Sequence, residues 1–180
     1  DQAIRDPLWS RGLGDVYKRQ NSNMATKFAS GKYEVLNASK YVGGRAPTYR
    51  SSWELAFMRM CDSHPNITKW ASENVKIPYR SPVDGKYHNY VPDFMIQYQD
   101  KDGTEHVELI EIKPANQTTL ENARSRGQAI QTHINAAKWT AAQEWCKRKG
   151  IRFKVINEDQ IFSNKKPRKA KKRISKPRVK

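Results

Sequence analysis

The chain has 180 residues, of which 37% are hydrophobic and 10% aromatic, enough for one modest domain with a buried core. Lys and Arg outnumber Asp and Glu by 34 to 18, a net charge of +16 that predicts a polyanionic partner, with nucleic acid favoured over an acidic membrane surface. No apolar run is long enough to span a membrane. Cys61 and Cys146 lack the spacing of a zinc site, so we expect both to be reduced residues of the core or of a helix face.

The first 23 residues are not expected to belong to the folded domain. Residues 15–20 back-translate to a string that resembles the transposon mosaic end used to fragment sequencing libraries, and the residues before them show no periodicity. A genuine basic leader is the alternative interpretation. We therefore treat residues 1–23 as an assembly artefact plus leader and expect Met24 to be the true start.

An arm and a helix are predicted next. Residues 24–48 are polar and interrupted by Gly and Pro, which predicts an extended arm. From about residue 51, Trp53, Phe57 and Met60 recur at i, i+4 and i+7, the spacing of one buried helix face, and Pro65 ends the pattern.

Three strands are predicted after this helix. Residues 75–79 read as a short strand. Residues 90–98 are rich in aromatic and β-branched side chains, residues 100–103 have strong turn chemistry, and residues 105–113 form a second strand that is apolar on both faces near its end. The last two strands should therefore form a hairpin.

A long helix and a final strand complete the predicted domain. After a polar loop at 115–126, residues 128–149 predict a helix that Gly150 caps, and residues 151–156 predict a strand. The apolar stripe of the helix consists of Ile130, Ile134, Ala137, Ala141 and Trp145. The order α-β-β-β-α-β predicts an α/β fold with a mixed central β-sheet flanked by helices.

The hairpin brings three chemically active side chains together. If the turn centres on Asp102, Asp93 lies nine residues before it and Glu111 nine after it, so the two face each other across an antiparallel pair. Alternation along a strand then places Asp93, Glu111 and Lys113 on one face and Ile112 on the other.

Two opposed carboxylates destabilise a half-buried site unless a cation lies between them. Mg²⁺ fits a site with few carboxylates, because water and substrate phosphate complete its oxygen ligands, and Mn²⁺ should substitute for it. Lys113 would add positive charge where a phosphoryl transition state gathers negative charge. Taken singly, Asp93 could merely begin a strand, and Glu111 with Lys113 could be an ordinary ion pair.

Pro92-Asp93 followed after seventeen residues by Glu111-Ile112-Lys113 resembles the PD-(D/E)XK nuclease superfamily in motif and spacing. The resemblance implies a restriction-endonuclease-like core, Mg²⁺ dependence and phosphodiester hydrolysis. It also implies metal ligands from Asp93, Glu111 and the Ile112 backbone carbonyl, with Asp93, Glu111 and Lys113 as catalytic residues.

A closer resemblance, over residues 31–162, is to the head completion nucleases of T-even-like tailed phages, and the N-terminal half of TnsA-type transposon endonucleases shares the same scheme. The matching segments are YRSSWE at 49–54, IPY at 77–79, Asp93, EIKP at 111–114, Asn135, KW at 138–139, AAQ at 141–143, GIRF at 150–153 and ED at 158–159. The resemblance implies that Glu54 assists metal binding and that Lys138 faces substrate phosphate or the site. The basic tail and residues 115–126 depart from the pattern.

Several residues have competing interpretations. Glu54 completes a capping box with Ser51, so a cap role and a metal role are both open. Lys138 lies one position from the apolar stripe and could face either the site or solvent. The candidate DNA-binding residues are Arg50, Lys138, Lys165, Lys166, Arg168, Lys169, Lys171, Lys172 and Arg173.

These observations predict a nuclease domain at 49–162 and a disordered basic tail at 163–180 that binds double-stranded DNA without sequence preference. The leading hypothesis is a Mg²⁺-dependent endonuclease of phage head completion, located in the virion and host cytoplasm, with neck or portal proteins as partners and no membrane contact. The alternatives are a transposon- or defence-type endonuclease and a non-catalytic structural protein that grips packaged DNA.

Overall fold

The structure, a computed structural model, describes residues 30–114, 125–157 and 160–161. Several predictions lie outside these residues. They concern the artefact and leader at 1–23, the start of the arm, most of the loop at 115–126, and the tail with Lys165, Lys166, Arg168, Lys169, Lys171, Lys172 and Arg173.

The described residues form an α/β fold. In chain order its elements are β1 Gly31–Lys32, β2 Thr48–Tyr49, α1 Ser52–Ser63, β3 Ile67–Ser72, β4 Ile77–Arg80, β5 Tyr87–Tyr90, β6 Phe94–Gln99, β7 Glu105–Ile112, α2 Arg126–Lys149 and β8 Arg152–Ile156. The central sheet has the order β3-β6-β7-β8, with antiparallel pairing except between β7 and β8, which are parallel. The predicted mixed central sheet is confirmed.

Helix α1 covers one face of this sheet. Phe57, Met58 and Cys61 are buried on the helix, and the Phe57 ring packs 4.8 Å, between centroids, from the ring of Phe94 on β6. Burying a Phe or a Met side chain contributes roughly 1.5–3 kcal/mol. The helix predicted from the spacing of Trp53, Phe57 and Met60 is confirmed.

The described part of the predicted arm, residues 30–48, is folded onto α1. The buried Asp62 carboxylate accepts hydrogen bonds from the Tyr33 hydroxyl and from the backbone N–H groups of Leu36 and Asn37. Because a buried carboxylate without partners would be costly, these donors fix the path of the segment.

Helix α2 and the β4–β5 hairpin cover the other face. Ile134, Ala137, Ala141 and Trp145 pack into this second core, as the sequence predicts, and Gly150 ends the helix in a left-handed conformation at φ 69°. Ile130 does not fit the predicted stripe, because 42% of it is exposed. The fully buried positions are Asn135, Ala142 and Cys146, displaced from the stripe and including a polar residue.

The β6–β7 hairpin has the register that the sequence predicts. The Asp100 carboxylate accepts the backbone N–H groups of Asp102 and Thr104, both at 2.9 Å, and Gly103 takes a positive φ of 79° that favours glycine. Phe94 pairs with Ile110, so the next pair toward the strand ends is formed by residues 93 and 111.

Four strands differ from the sequence prediction. Ile67–Ser72 forms an edge strand of the central sheet, Tyr87–Tyr90 pairs with Ile77–Arg80 in a separate hairpin, and the two-residue strands β1 and β2 pair with each other. The predicted strand at 75–79 therefore exists but lies outside the central sheet, and the strand predicted to begin at residue 90 begins at Phe94.

Cys61 and Cys146 are both free, as predicted, and of the two positions expected for them both take the core. Among the described residues, neither helix combines the length and apolar character that crossing a membrane requires.

Candidate active site

Asp93 and Glu111 lie at the open end of the β6–β7 hairpin. Asp93 directly precedes β6, and Glu111 is the second-last residue of β7. The Ile112 backbone N–H donates to Asp93 Oδ2 at 2.7 Å and thereby ties the Asp93 side chain to the neighbouring strand. The hairpin therefore brings both predicted acids to one place.

The charge of Glu111 acts directly on Asp93. Burial and then the neighbouring Glu111 carboxylate raise the pKa of Asp93 to about 8, while the hydrogen bond from Ile112 and the charge of Lys113 oppose this rise. The charged form of Asp93 is therefore disfavoured first by burial and then by Glu111, and a cation bound beside both carboxylates would offset both effects.

Both oxygens of the buried Glu111 carboxylate are held. Lys113 Nζ lies 3.1 Å from Oε1, and the Tyr90 hydroxyl donates to Oε2 at 2.8 Å. The Lys113 side chain is 28% exposed, so solvent reaches part of it, whereas the Glu111 side chain is 6% exposed. Burial and the charge of Glu111 raise the pKa of Tyr90 well above its usual range, which keeps this hydroxyl a donor.

Lys138 extends from α2 toward this cluster. Its Nζ lies 5.6 Å from the ring centroid of Tyr79 and 5.7 Å from that of Tyr90, within the range of cation–π attraction. The side chain is half-buried, and no carboxylate within the described ranges lies at ion-pair distance from it. Lys138 therefore lies over the ring of Tyr90, the side chain whose hydroxyl donates to Glu111.

Glu54 serves as a helix cap in this structure. Its Oε2 accepts the Arg50 backbone N–H at 2.8 Å, and its Oε1 accepts the Ser51 hydroxyl at 3.0 Å, while the Ser51 side chain accepts the Glu54 N–H. Its charge still reaches the site, because it contributes to the raised pKa of Asp93. The metal-assisting role of Glu54 stays a prediction.

Arg50 forms an ion pair at the edge of the site. Its guanidinium donates to the Glu73 carboxylate, and Glu73 has a positive φ of 48°, which is uncommon for a side chain of this kind. The Glu73 backbone N–H donates to the Asp93 carbonyl at 3.0 Å, so this strained residue is tied to the acid. Arg50, which is predicted to bind DNA, is therefore paired with Glu73 in this structure.

The donor set suits a hard divalent cation. In the part of the chain that the structure describes, no three His, Cys, Asp or Glu side chains group closely enough to bind a metal ion. Mg²⁺ does not require three, because it is commonly held by one or two carboxylates together with waters and substrate phosphate. Asp93 and Glu111, whose repulsion shows in the Asp93 pKa, fit that pattern.

Sequence reasoning missed two residues at this site. The sequence places Tyr90 at the start of the long strand, whereas in the structure it ends the separate β4–β5 hairpin. The IPY segment at 77–79, which forms the partner strand, is the signal that points toward this hairpin. Glu73 lies in a polar connection without periodicity, so no signal in the sequence marked it.

Comparison with known proteins gives two findings. The family model described as the TnsA-like endonuclease N terminal matches residues 64–158, slightly more than half of the chain and including all of β3 to β8. The chain is also 36% identical over 141 residues to the head completion nuclease of Enterobacteria phage T4, covering 73% of this chain and 93% of that protein.

Proposed function

Since the chain belongs to the TnsA-like endonuclease family, we propose that it is a divalent-metal-dependent DNA endonuclease that acts in phage head completion. The observation that supports this most is the pair Asp93 and Glu111, which the β6–β7 hairpin brings together beside Lys113. Family membership indicates the class of reaction, and the two carboxylates are the groups that would bind the metal ion for it.

The role in head completion is supported by the extent of the similarity. The alignment covers nearly the whole of the phage T4 head completion nuclease, whereas the TnsA-like model covers only residues 64–158. The segments outside that range include α1, whose cap contains Glu54 and whose start lies beside Arg50. The similarity to the head completion nuclease therefore extends over more of the chain than the match to the TnsA-like model does.

The proposed metal ligands are the carboxylates of Asp93 and Glu111 and the backbone carbonyl of Ile112. When bound, Mg²⁺ would polarise the scissile phosphate and favour deprotonation of the attacking water, and Mn²⁺ should substitute. Asp93 is already oriented by the Ile112 N–H, and Glu111 by Tyr90 and Lys113, so the carboxylates need little rearrangement.

Two lysines would handle charge on the substrate. Lys113, accessible and bound to Glu111, can donate to a phosphate oxygen as negative charge develops there, and it can orient the attacking water. Lys138, held on two tyrosine rings without an acidic partner within the described ranges, can contact a neighbouring phosphate. Both roles require no change of fold.

The proposed substrate is double-stranded DNA. The net charge of +16 favours binding to phosphates, and ten Lys and Arg with no acidic residue lie in 163–180. We propose that the protein acts in the host cytoplasm during head assembly and remains in the virion, where neck or portal proteins would be its partners.

A plasmid-cleavage assay tests this function. Supercoiled DNA should be nicked in the presence of Mg²⁺ or Mn²⁺ and left intact in EDTA. Lys113→Ala should lower kcat by roughly 10²–10³-fold, the loss typical of removing one donor to a developing anion. Metal-independent DNA binding without nicking under any divalent ion would contradict the proposal and favour a structural DNA-binding protein.

A matched lysine provides the control. Lys154 lies on β8 and pairs with the buried Glu108 on the same strand that carries Glu111. Lys154→Ala removes a comparable ion pair away from the two acids, so cleavage should persist in the folded variant. Equal losses of cleavage in both variants would show that Lys113 acts through folding alone.

A further inference from the structure

Tyr90 reaches the candidate site from outside the motif-bearing hairpin. It is the last residue of β5 and pairs with Ile77 of β4, whose own side chain is fully buried. The β4–β5 hairpin packs against α2, so the position of Tyr90 is set by a unit separate from the strands that carry Asp93 and Glu111. Only 4% of Tyr90 is exposed.

The hydroxyl of Tyr90 fixes one half of the Glu111 carboxylate. It donates to Oε2 at 2.8 Å, while Lys113 holds Oε1, so the rotation of the carboxylate about its last bond is restrained from both sides. An accessible lysine can exchange Glu111 for a phosphate, whereas a buried tyrosine hydroxyl cannot leave. The hydrogen bond from Tyr90 therefore continues to orient Glu111 when Lys113 contacts the substrate.

The ring of Tyr90 performs a second task. Together with Tyr79 it forms the aromatic surface beneath the Lys138 ammonium, at 5.6 and 5.7 Å. One side chain thus contacts a proposed metal ligand through its hydroxyl and a proposed phosphate contact through its face. The two contacts can be separated experimentally, because Phe keeps the face and lacks the hydroxyl.

We infer that Tyr90 is a positioning residue, whose hydroxyl orients Glu111 for a divalent cation and whose ring holds Lys138 toward DNA phosphate. This role rests on the proposed function and adds to it a residue outside the motif. Removing a hydrogen-bond partner that orients a metal ligand commonly lowers metal affinity, so the role of Tyr90 can be measured as a change in metal affinity.

A second tyrosine–glutamate hydrogen bond offers a matched control, and its glutamate lies on the same strand as Glu111. The Tyr98 hydroxyl donates at 2.8 Å to Glu108, which is fully buried on β7 and also pairs with Arg152 and Lys154. Tyr98→Phe thus removes the same kind of hydrogen bond, from tyrosine to buried glutamate, on the opposite face of the sheet. A merely structural role predicts equal behaviour of the two variants.

The test measures Mn²⁺ binding by calorimetry without DNA, using the full chain as wild type, Tyr90→Phe and Tyr98→Phe. Tyr90→Phe should weaken Mn²⁺ affinity by about 10- to 100-fold, because Glu111 loses its fixed orientation. Tyr98→Phe should leave the affinity unchanged. In plasmid cleavage Tyr90→Phe should lower kcat with little change in KM, and its DNA affinity in EDTA should match wild type, since the ring beneath Lys138 remains.

The outcomes separate this inference from the proposed function. A wild type that binds Mn²⁺ and cleaves DNA, with Tyr90→Phe equal to it in both, would overturn the role of Tyr90 alone. A wild type that binds no Mn²⁺ and cleaves nothing would overturn both. Should Tyr90→Phe not fold, NMR of wild type still decides, because a slowly exchanging Tyr90 hydroxyl proton is expected and a rapidly exchanging one contradicts the fixed contact with Glu111.

Discussion

Replacing Asp93 with Asn should stabilise the metal-free protein at alkaline pH. Asn keeps an oxygen that can accept the Ile112 N–H but removes the charge that Glu111 opposes. The pKa of Asp93 is about 8 in the fold and 3.8 as its ordinary value, so the folded protein binds more protons than the unfolded chain between these two pH values. The free energy of unfolding of the wild type must therefore fall as pH rises through this window.

The size of the effect follows from the same pKa difference. A rise from 3.8 to about 8 corresponds to an upper limit of about 6 kcal/mol. Asp93 is half-buried and retains contact with water, which screens part of its interaction with Glu111, so we expect roughly 2–3 kcal/mol. Asp93→Asn should equal wild type near pH 4 and exceed it by this amount near pH 9.

The assay is urea unfolding in EDTA across this pH range, followed by tryptophan fluorescence. Glu105→Gln, which removes an exposed carboxylate from the first position of β7, is the control and should follow the wild-type profile. Adding Mg²⁺ at high pH should stabilise wild type and leave Asp93→Asn unchanged. Parallel pH profiles for wild type and Asp93→Asn would refute the claim that burial and the charge of Glu111 disfavour the charged form of Asp93 in the fold.

Four further predictions concern Arg50, the cap of α1, Glu54 and the basic tail. Glu73→Gln should release Arg50 for phosphate and raise DNA affinity in EDTA, measured by fluorescence anisotropy; lower affinity would contradict competition between Glu73 and DNA. Ser51→Ala should lower the free energy of unfolding by about 1 kcal/mol, because the helix loses its cap. Glu54→Gln should reduce Mn²⁺ affinity less than Asp93→Asn does, and an equal reduction would place Glu54 among the metal ligands. Removing residues 163–180 should flatten the dependence of DNA affinity on salt, and an unchanged slope would exclude the tail from binding.

The part of the site within one hairpin could be predicted from local sequence. Asp100 and Gly103 determine the turn, and the turn determines that residues 93 and 111 lie across from each other. Because this geometry depends on a short contiguous segment, strand alternation and turn chemistry were sufficient. The same holds for α1, whose cap and buried face are both explicit in its sequence.

What could not be predicted depends on irregular or polar local sequence. Strand β3 has a register shift between Ile67 and Lys69, so its buried residues do not alternate and the strand has no period-two signal. Strand β5 is exposed except at Tyr90, which leaves it without a hydrophobic pattern. On α2, the buried Asn135 accepts a hydrogen bond from Gln131, a polar contact that an apolar stripe cannot reveal.

The role of Tyr90 could not be predicted from the sequence, because its contacts join separate elements. Its contact with Glu111 joins two separate β-hairpins, and its ring contact with Lys138 joins a hairpin to α2. Neither contact has a fixed spacing in the chain, since each is set by the packing of α2 over the sheet. Such residues become visible only in the folded structure.

The central claim is that Asp93 and Glu111 together hold a divalent cation, and anomalous diffraction from crystals containing Mn²⁺ tests it most directly. We expect a peak between the two carboxylates in wild type and its loss in Glu111→Gln. Carboxylates that point apart with no Mn²⁺ between them, in crystals of protein that remains folded, would contradict the account.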